Sequence, residues 1–83
     1  MDKNIEFKTV EISTDYITLG QLLKFQNVIH EGGEAKEYIL AHEILIDGEN
    51  HKERGKKLYP GTKIIIDNSL FFEIKKWLLI RLN

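Results

Sequence analysis

Two short apolar runs rich in isoleucine constrain the fold of this chain more than any other feature. They occupy residues 44–46 and 64–66. Because β-branched side chains favour strands and the runs are too short for buried helices, both are predicted to be core strands. The segment between them opens at an Asp47-Gly48 turn, closes at Pro60-Gly61 and is basic, with His51, Lys52, Arg54, Lys56 and Lys57. Cations on a β-ribbon between two anchored strands suit the binding of a polyanion.

Length and composition indicate one small soluble domain over residues 1–83. The chain is 42% hydrophobic and 30% charged, which is typical of globular proteins. It has no cysteine, so a disulfide framework and thiolate metal sites are excluded. Neither a signal peptide nor a bilayer-spanning apolar run is recognisable, and we therefore expect a cytoplasmic protein.

The net charge of −1 conceals an uneven distribution of charge. Residues 1–50 contain ten acidic and four basic residues, whereas residues 51–83 contain eight basic and three acidic residues. Since phosphate responds to the local field, a neutral total is compatible with a nucleic-acid partner.

Local patterns predict the remaining elements of the first half. Apolar and polar residues alternate over residues 5–12, which predicts a strand with a bulge near Lys8-Thr9. Thr18 and Gln21 form a capping box that begins a helix over residues 19–26. Gly32-Gly33 is expected to allow a sharp reversal before a second helix, giving a pair that is similar to a helix-turn-helix.

The second helix and the C-terminal segment complete the predicted fold. Ala35, Tyr38, Ile39 and His42 mark one face of the second helix. Residues 69–75 are expected to be a strand that forms a hairpin with residues 63–67, followed by a tail. The fold class is thus α+β, with two short helices packed on a small, mostly antiparallel sheet that carries a basic hairpin ribbon.

The order of these motifs resembles the small RNA-binding domain named after small-subunit ribosomal protein four (the S-four or S4 domain), and in particular its stand-alone YaaA-like branch. The resemblance covers about residues 16–67. It rests on residues 17–24 (ITLGQLLK), 32–36 (GGEAK), 45–49 (LIDGE), 54–58 (RGKKL) and 61–64 (GTKI).

The resemblance implies a module that binds structured RNA such as ribosomal RNA. In that family the N-terminal turn of the second helix and the basic ribbon grip the RNA. Lys36 matches a position that is often basic, and Arg54, Lys56 and Lys57 match the basic cluster of the branch. Many S4 domains open the second helix with a serine-arginine pair, whereas this chain has Glu31 and Gly32, so we expect the ribbon to supply most of the attraction.

The candidate site combines these positions with the cations that flank the glycine turn, where helix N–H groups attract phosphate. The RNA-binding candidates are Lys24, His30, Gly32, Gly33, Lys36, His51, Lys52, Arg54, Lys56 and Lys57. Tyr59 is a further possibility: it either stacks on an unpaired base or packs over the Pro60-Gly61 turn. Glu37 is expected to face away from the RNA.

Other functions remain as alternatives or are disfavoured. The apolar run at residues 77–80 closes the core or, if exposed, docks on a protein such as a ribosomal protein. A tRNA or another small RNA is an equally acceptable ligand. The spacing of His30, His42 and His51 matches no metal motif, and no nucleophile or phosphate-loop motif is present. We therefore expect a protein that is not catalytic and has no cofactor. We also expect it to be a monomer.

Overall fold

The computed structural model describes residues 5–77, which form an α+β fold of two sheets and two helices. The strands are β1 (Lys8–Ile12), β2 (Ile17–Thr18), β3 (Ile44–Ile46), β4 (Glu49–Asn50), β5 (Lys57–Leu58), β6 (Lys63–Ile66) and β7 (Leu70–Lys76). The helices are α1 (Leu19–Phe25) and α2 (Ala35–Ala41), the latter preceded by a 3₁₀ turn, Gly32–Glu34. The predicted fold class is confirmed.

The core lies between the helices and the main sheet. This sheet has the strand order β1-β7-β6-β3-β4, and β2 pairs with β5 in a separate two-stranded sheet. Leu19, Leu22 and Leu23 of α1 are fully buried, as is Ile39 of α2. Alternate residues of the strands face these helices, which explains the burial of both isoleucine runs at their outer positions.

The predicted start of α1 is confirmed in atomic detail. Gln21 N–H donates to Thr18 Oγ1 at 3.2 Å, and Thr18 N–H donates to Gln21 Oε1 at 2.9 Å. Both bonds satisfy amides that have no partner within the helix. The helix ends at Phe25, one residue before the predicted end.

The reversal after α1 is made by Asn27 and not by the glycine pair. Asn27 has φ +60°, a left-handed conformation that asparagine tolerates. Gly32 and Gly33 both lie outside the left-handed region, in the 3₁₀ turn, and an added Cβ would meet nothing within 4 Å at either position. The fold therefore does not require glycine there, and the expectation of a glycine-dependent reversal was wrong.

The N-terminal strand is shorter than the predicted strand over residues 5–12. Strand β1 runs parallel to β7, with Lys8 opposite Phe72 and Ile12 opposite Lys76 in an unbroken register. There is no bulge at Lys8-Thr9, because the strand begins at Lys8 and the apparent slip in the pattern marks this boundary. Parallel pairing brings together the first and last strands of the described chain.

The basic segment is not one hairpin ribbon. Asp47 (φ +50°) and Gly48 (φ +90°) make the predicted tight turn from β3 to β4. The chain then leaves the main sheet, and β5 pairs with β2, with Leu58 opposite Ile17. Leu58 is fully buried in the core, and this burial accompanies the pairing of the second half of the segment with β2.

The C-terminal hairpin is confirmed. Strand β7 pairs antiparallel with β6 from Leu70 to Glu73, after a turn at Asp67 and Asn68 that has φ values of +52° and +55°. Leu78, Leu79 and Ile80 of the predicted apolar tail lie outside the described residues. No helix within residues 5–77 is long and apolar enough to cross a membrane.

Candidate nucleic-acid interface

The basic segment is fastened to the first turn of α1 by its backbone. Leu19 N–H donates to the carbonyl of Lys56, and Gly20 N–H donates to that of Arg54, both at 2.9 Å. These amides are among those at a helix start that lack an intrahelical acceptor. The bonds hold the cationic stretch against the helix and fix the direction in which its side chains leave the backbone.

Gly20 lies directly against the basic segment. A Cβ at this position would lie 3.4 Å from the carbonyl oxygen and 3.5 Å from the Cβ of Arg54, and 3.7 Å from the Cβ of Ala35, which is ordinary van der Waals contact. The space therefore admits a methyl group without displacement of the basic segment. Glycine inside a helix is intrinsically unfavourable, and this was the available signal for a close approach that the sequence reasoning missed.

An open groove lies where α1, the 3₁₀ turn and the basic segment meet. It brings together three of the candidate residues, Lys24, Gly32 and Arg54. The other lining residues are Thr18, Gly20, Gln21, Ala35 and Gly55. Two cations from distant parts of the sequence thus line one groove, whose other lining residues are uncharged and mostly small. We call this surface the basic groove.

The cations of the basic groove remain available for a ligand. No ion pair formed within residues 5–77 involves Lys24, Arg54 or the neighbouring Lys56. Lys24 and Arg54 are exposed and Lys56 is half-buried. Unpaired exposed cations on one surface provide the charge that attracts a polyanion.

Lys52 has a different position from the other cations of the segment. Its Nζ donates to the carbonyls of His42, at 2.9 Å, and Ile39, at 3.2 Å, at the C-terminus of α2. These carbonyls carry the negative end of the helix dipole, so a cation stabilises them. Lys52 lies outside the basic groove, and its ammonium group stabilises the end of α2.

His51 and Lys57 line a second hollow with Lys56 and Tyr59. His51 Nε2 lies 3.6 Å from Glu49 Oε1, and Lys57 Nζ lies 4.9 Å from the centre of the Tyr16 ring. The two candidates therefore have local partners, unlike Arg54. The cationic side chains of the basic segment therefore lie in three different places: the basic groove, the end of α2 and the second hollow.

Most candidates near the start of α2 lie outside the basic groove. Three of them are exposed and do not line it: His30, Gly33 and Lys36. His30 N–H donates to Glu34 Oε1 at 2.8 Å, and this hydrogen bond lowers the pKa of the Glu34 carboxyl. Glu34 is thereby occupied in closing the turn before α2.

A polar cluster at the end of α2 was not anticipated. His42 Nδ1 donates to Asp67 Oδ2, and Glu43 N–H donates to Asp67 Oδ1 at 2.9 Å. The bond from His42, with the second bond from Glu43, lowers the pKa of the Asp67 carboxyl. Tyr38 stacks on His42 with ring centres 3.9 Å apart. The cluster fastens α2 to the β6–β7 turn.

Metal-binding geometry is absent from this part of the chain. Within residues 5–77 no group of three or more histidine, aspartate or glutamate side chains is arranged to hold an ion.

The fold and the basic groove define the class of protein. The chain belongs to the S4 domain family, which it matches over residues 10–74. It is similar to a protein of Bacillus subtilis (strain 168) that bears the name "Probable ribosome maturation protein RlbA". The two are 42% identical over 65 residues, which span 78% of this chain and 92% of the relative. The relative is therefore little longer than the matched domain.

Proposed function

We propose that this protein binds structured RNA without catalysing a reaction, and that the RNA is ribosomal RNA or part of an assembling ribosomal particle. The observation that carries the proposal is the convergence on one groove of Lys24 and Arg54, which form no ion pair within residues 5–77, in a member of the S4 domain family. The name of the Bacillus subtilis relative, a ribosome maturation protein, supports the choice of ribosomal RNA. A cytoplasmic location follows from this function.

The proposed contact recognises shape and charge. Lys24 and Arg54 bind one run of phosphates across the basic groove, while the backbone of Gly32 and Gly55 allows the RNA strand to approach closely. Lys56 extends the contact towards the second hollow, where His51 and Lys57 lie. The glycine turn contributes its exposed amides, and Lys36 and His30 lie at the periphery.

A salt titration of RNA binding tests this proposal. Filter binding of ribosomal RNA to the wild type is expected to give a slope of log affinity against log salt of about −2 to −4, as expected for three to five neutralised phosphates. The double variant Lys24→Ala/Arg54→Ala is expected to lose roughly one unit of slope per cation and more than tenfold in affinity at moderate salt.

The matched control removes two lysines from the main sheet. Lys8 and Lys75 belong to β1 and β7 and do not line the basic groove, so Lys8→Ala/Lys75→Ala changes the net charge equally. This control is expected to keep the wild-type slope. Equal losses in both double variants would contradict binding at the groove, and tight binding by a folded groove variant would overturn it.

Crosslinking in cells identifies the ligand. Crosslinks to ribosomal RNA are expected, whereas crosslinks mainly to tRNA or another small RNA would change the ligand and retain the groove. A protein-interaction module is the second candidate, because Trp77, which directly follows β7, is 44% exposed. Crosslinks to protein alone, with no RNA recovered, would favour that candidate.

A further inference from the structure

The small sheet presents two tyrosines to solvent beside the basic segment. Ile17 and Leu58 form the buried pair of β2 and β5, and the residues that flank this pair, Tyr16 and Tyr59, point away from the core. Their ring centres are 5.6 Å apart with an interplanar angle of 54°. Tyr16 is 37% exposed and Tyr59 is 49% exposed. Exposed aromatic rings in contact form a rigid surface at small entropic cost.

The ring of Tyr59 is not needed to close the turn that follows it. Thr62 N–H donates to the backbone carbonyl of Tyr59 at 3.0 Å, and Gly61 has φ +96° in the turn. With proline and glycine at its two central positions, this backbone turn closes without side-chain help. Half of the Tyr59 side chain therefore remains open to a ligand.

Lys57 distinguishes the two rings. Its Nζ lies 4.9 Å from the centre of the Tyr16 ring, so a cation already occupies one face of Tyr16. Tyr59 has the larger free surface, and Tyr16 supports it from the side. A ligand that stacks on Tyr59 would find the ammonium group of Lys57 within the same cluster.

The two tyrosines lie close to the basic groove. Tyr16 lines a hollow whose walls include Thr18 and Gln21, and the same two residues line the basic groove. Tyr59 shares a separate hollow with Lys56, which follows the groove residue Gly55 in the chain. A nucleic-acid strand that leaves the basic groove past Thr18 and Gln21 therefore reaches Tyr16, whose ring contacts that of Tyr59.

The charges of the Tyr16 hollow favour a neutral group. Glu11 and Asp15 line it, and Asp15 is paired with Lys76 at 3.5 Å. Carboxylates repel phosphate, whereas a nucleobase is uncharged and offers a π-face. The Tyr59 hollow differs, because Lys56 and Lys57 line it together with Asp47 and Glu49. A base that stacks on Tyr59 can therefore have its phosphates beside the two lysines.

We propose that Tyr59, positioned by Tyr16, stacks on an unpaired RNA base next to a double-helical segment held by the basic groove. The ligand class is a stem with a bulged or looped-out nucleotide. The inference rests on the RNA binding proposed above and adds a preference for an unpaired base, since aromatic stacking on bases is a general source of affinity for unpaired nucleotides.

Matched RNA hairpins test the inference. The probes are a fully paired hairpin, the same stem with a single bulged adenosine, and the bulged stem with an abasic residue in place of the adenosine. Wild-type protein is expected to bind the bulged adenosine roughly five- to a hundredfold more tightly than the other two probes. In a probe with 2-aminopurine at the bulge, stacking on the ring is expected to quench the fluorescence.

Three substitutions separate the effect of stacking from an effect on folding. Tyr59→Ala is expected to abolish the preference for the bulge and to retain binding of the paired hairpin, while Tyr59→Phe retains the preference because the π-face persists. Tyr16→Ala is expected to weaken the preference partly. Thermal denaturation of each variant shows that it is folded.

The outcomes distinguish this inference from the proposed function. Equal affinity of the wild type for paired and bulged hairpins, or an unchanged preference in folded Tyr59→Ala, would overturn the stacking inference and leave RNA binding intact. Absence of binding to all three hairpins by the wild type would overturn both proposals.

Discussion

Lys52 and Arg54 are separated by a single residue, yet the fold uses them in opposite ways. The ammonium group of Lys52 donates to two carbonyls at the end of α2. Arg54 holds α1 through its backbone carbonyl, and its guanidinium, which lines the basic groove, has no ion-pair partner among the described residues. Both residues belong to the same basic run. The comparison teaches that a cation is available to a ligand only where the fold leaves it without an internal partner.

Removal of each side chain in turn is the most direct test of this comparison. Arg54→Ala is expected to lower RNA affinity about tenfold at moderate salt with little change in stability, because one phosphate contact is lost. Lys52→Ala is expected to lower the free energy of unfolding by about 1 kcal/mol, since two carbonyls lose their donor, with little change in affinity. Filter binding and urea denaturation measure the two effects.

Lys56→Ala provides the control for Lys52→Ala. Lys56 belongs to the same segment, but its side chain forms no hydrogen bond or ion pair within residues 5–77. Its substitution by alanine therefore removes no such contact. Its substitution is expected to leave stability unchanged. A loss of RNA affinity in Lys52→Ala as large as that in Arg54→Ala would remove the distinction between the two residues.

The polar cluster of His42 and Asp67 at the end of α2 is expected to make the stability of the fold depend on pH in acid. The fold lowers the pKa of Asp67 below its ordinary value of 3.8, chiefly through the hydrogen bond from His42. The folded state therefore gains stability from this carboxylate above that value and loses it as the pH falls towards the lower folded pKa. Asp67→Asn is expected to be less stable at neutral pH and less sensitive to acid below about pH 4.

Urea denaturation over a pH series measures this difference. Asp15→Asn is the control, because the Asp15 carboxylate is 93% exposed and makes only a surface ion pair with Lys76. Parallel stability curves for the wild type and Asp67→Asn in acid would show that the cluster does not contribute to the pH dependence.

The two glycines of the 3₁₀ turn offer a finer comparison. The backbone conformation at these two positions does not require glycine. Gly32→Ala and Gly33→Ala should therefore each stabilise the fold by about 0.4–1 kcal/mol, because alanine lowers the conformational entropy of the unfolded chain. Only Gly32 lines the basic groove, and its added methyl group is expected to lower RNA affinity by a few fold. Equal affinities of the two variants would place the RNA away from the 3₁₀ turn.

The smallest effect is expected at Glu37. This residue is exposed in the first turn of α2 and does not line the basic groove. Glu37→Lys should change RNA affinity by less than about twofold at moderate salt, because the exposed side chain does not line the groove and salt weakens interactions between exposed charges. A large gain in affinity would show that the RNA extends over this face of α2.

Local interactions explain which parts of the fold could be read from the sequence. The Thr18–Gln21 capping box and the Asp47-Gly48 turn each depend on a few neighbouring residues, and the structure confirms both. The parallel pairing of β1 with β7 and the pairing of β5 with β2 join distant segments. Periodicity fixes which face of a strand is buried, but it does not identify the neighbouring strand.

The candidate site shows the same limit. The basic composition of residues 51–57 located the cationic surface, but the internal role of Lys52 depends on where α2 ends in space. Likewise, the association of Tyr16 with Tyr59 follows from the β2–β5 register. The sequence identified the types of residue that bind a polyanion, and tertiary structure determined which of them are free to do so.

The parallel pairing of β1 and β7 also bears on the order in which the chain is synthesised. Ribosomes release β1 early, whereas its partner β7 is the last strand of the described chain to be translated. The Val10 and Ile12 side chains, buried in the finished fold, consequently stay without their sheet neighbours until almost the whole domain has left the exit tunnel. Closure of the main sheet between β1 and β7 therefore has to wait for the synthesis of β7.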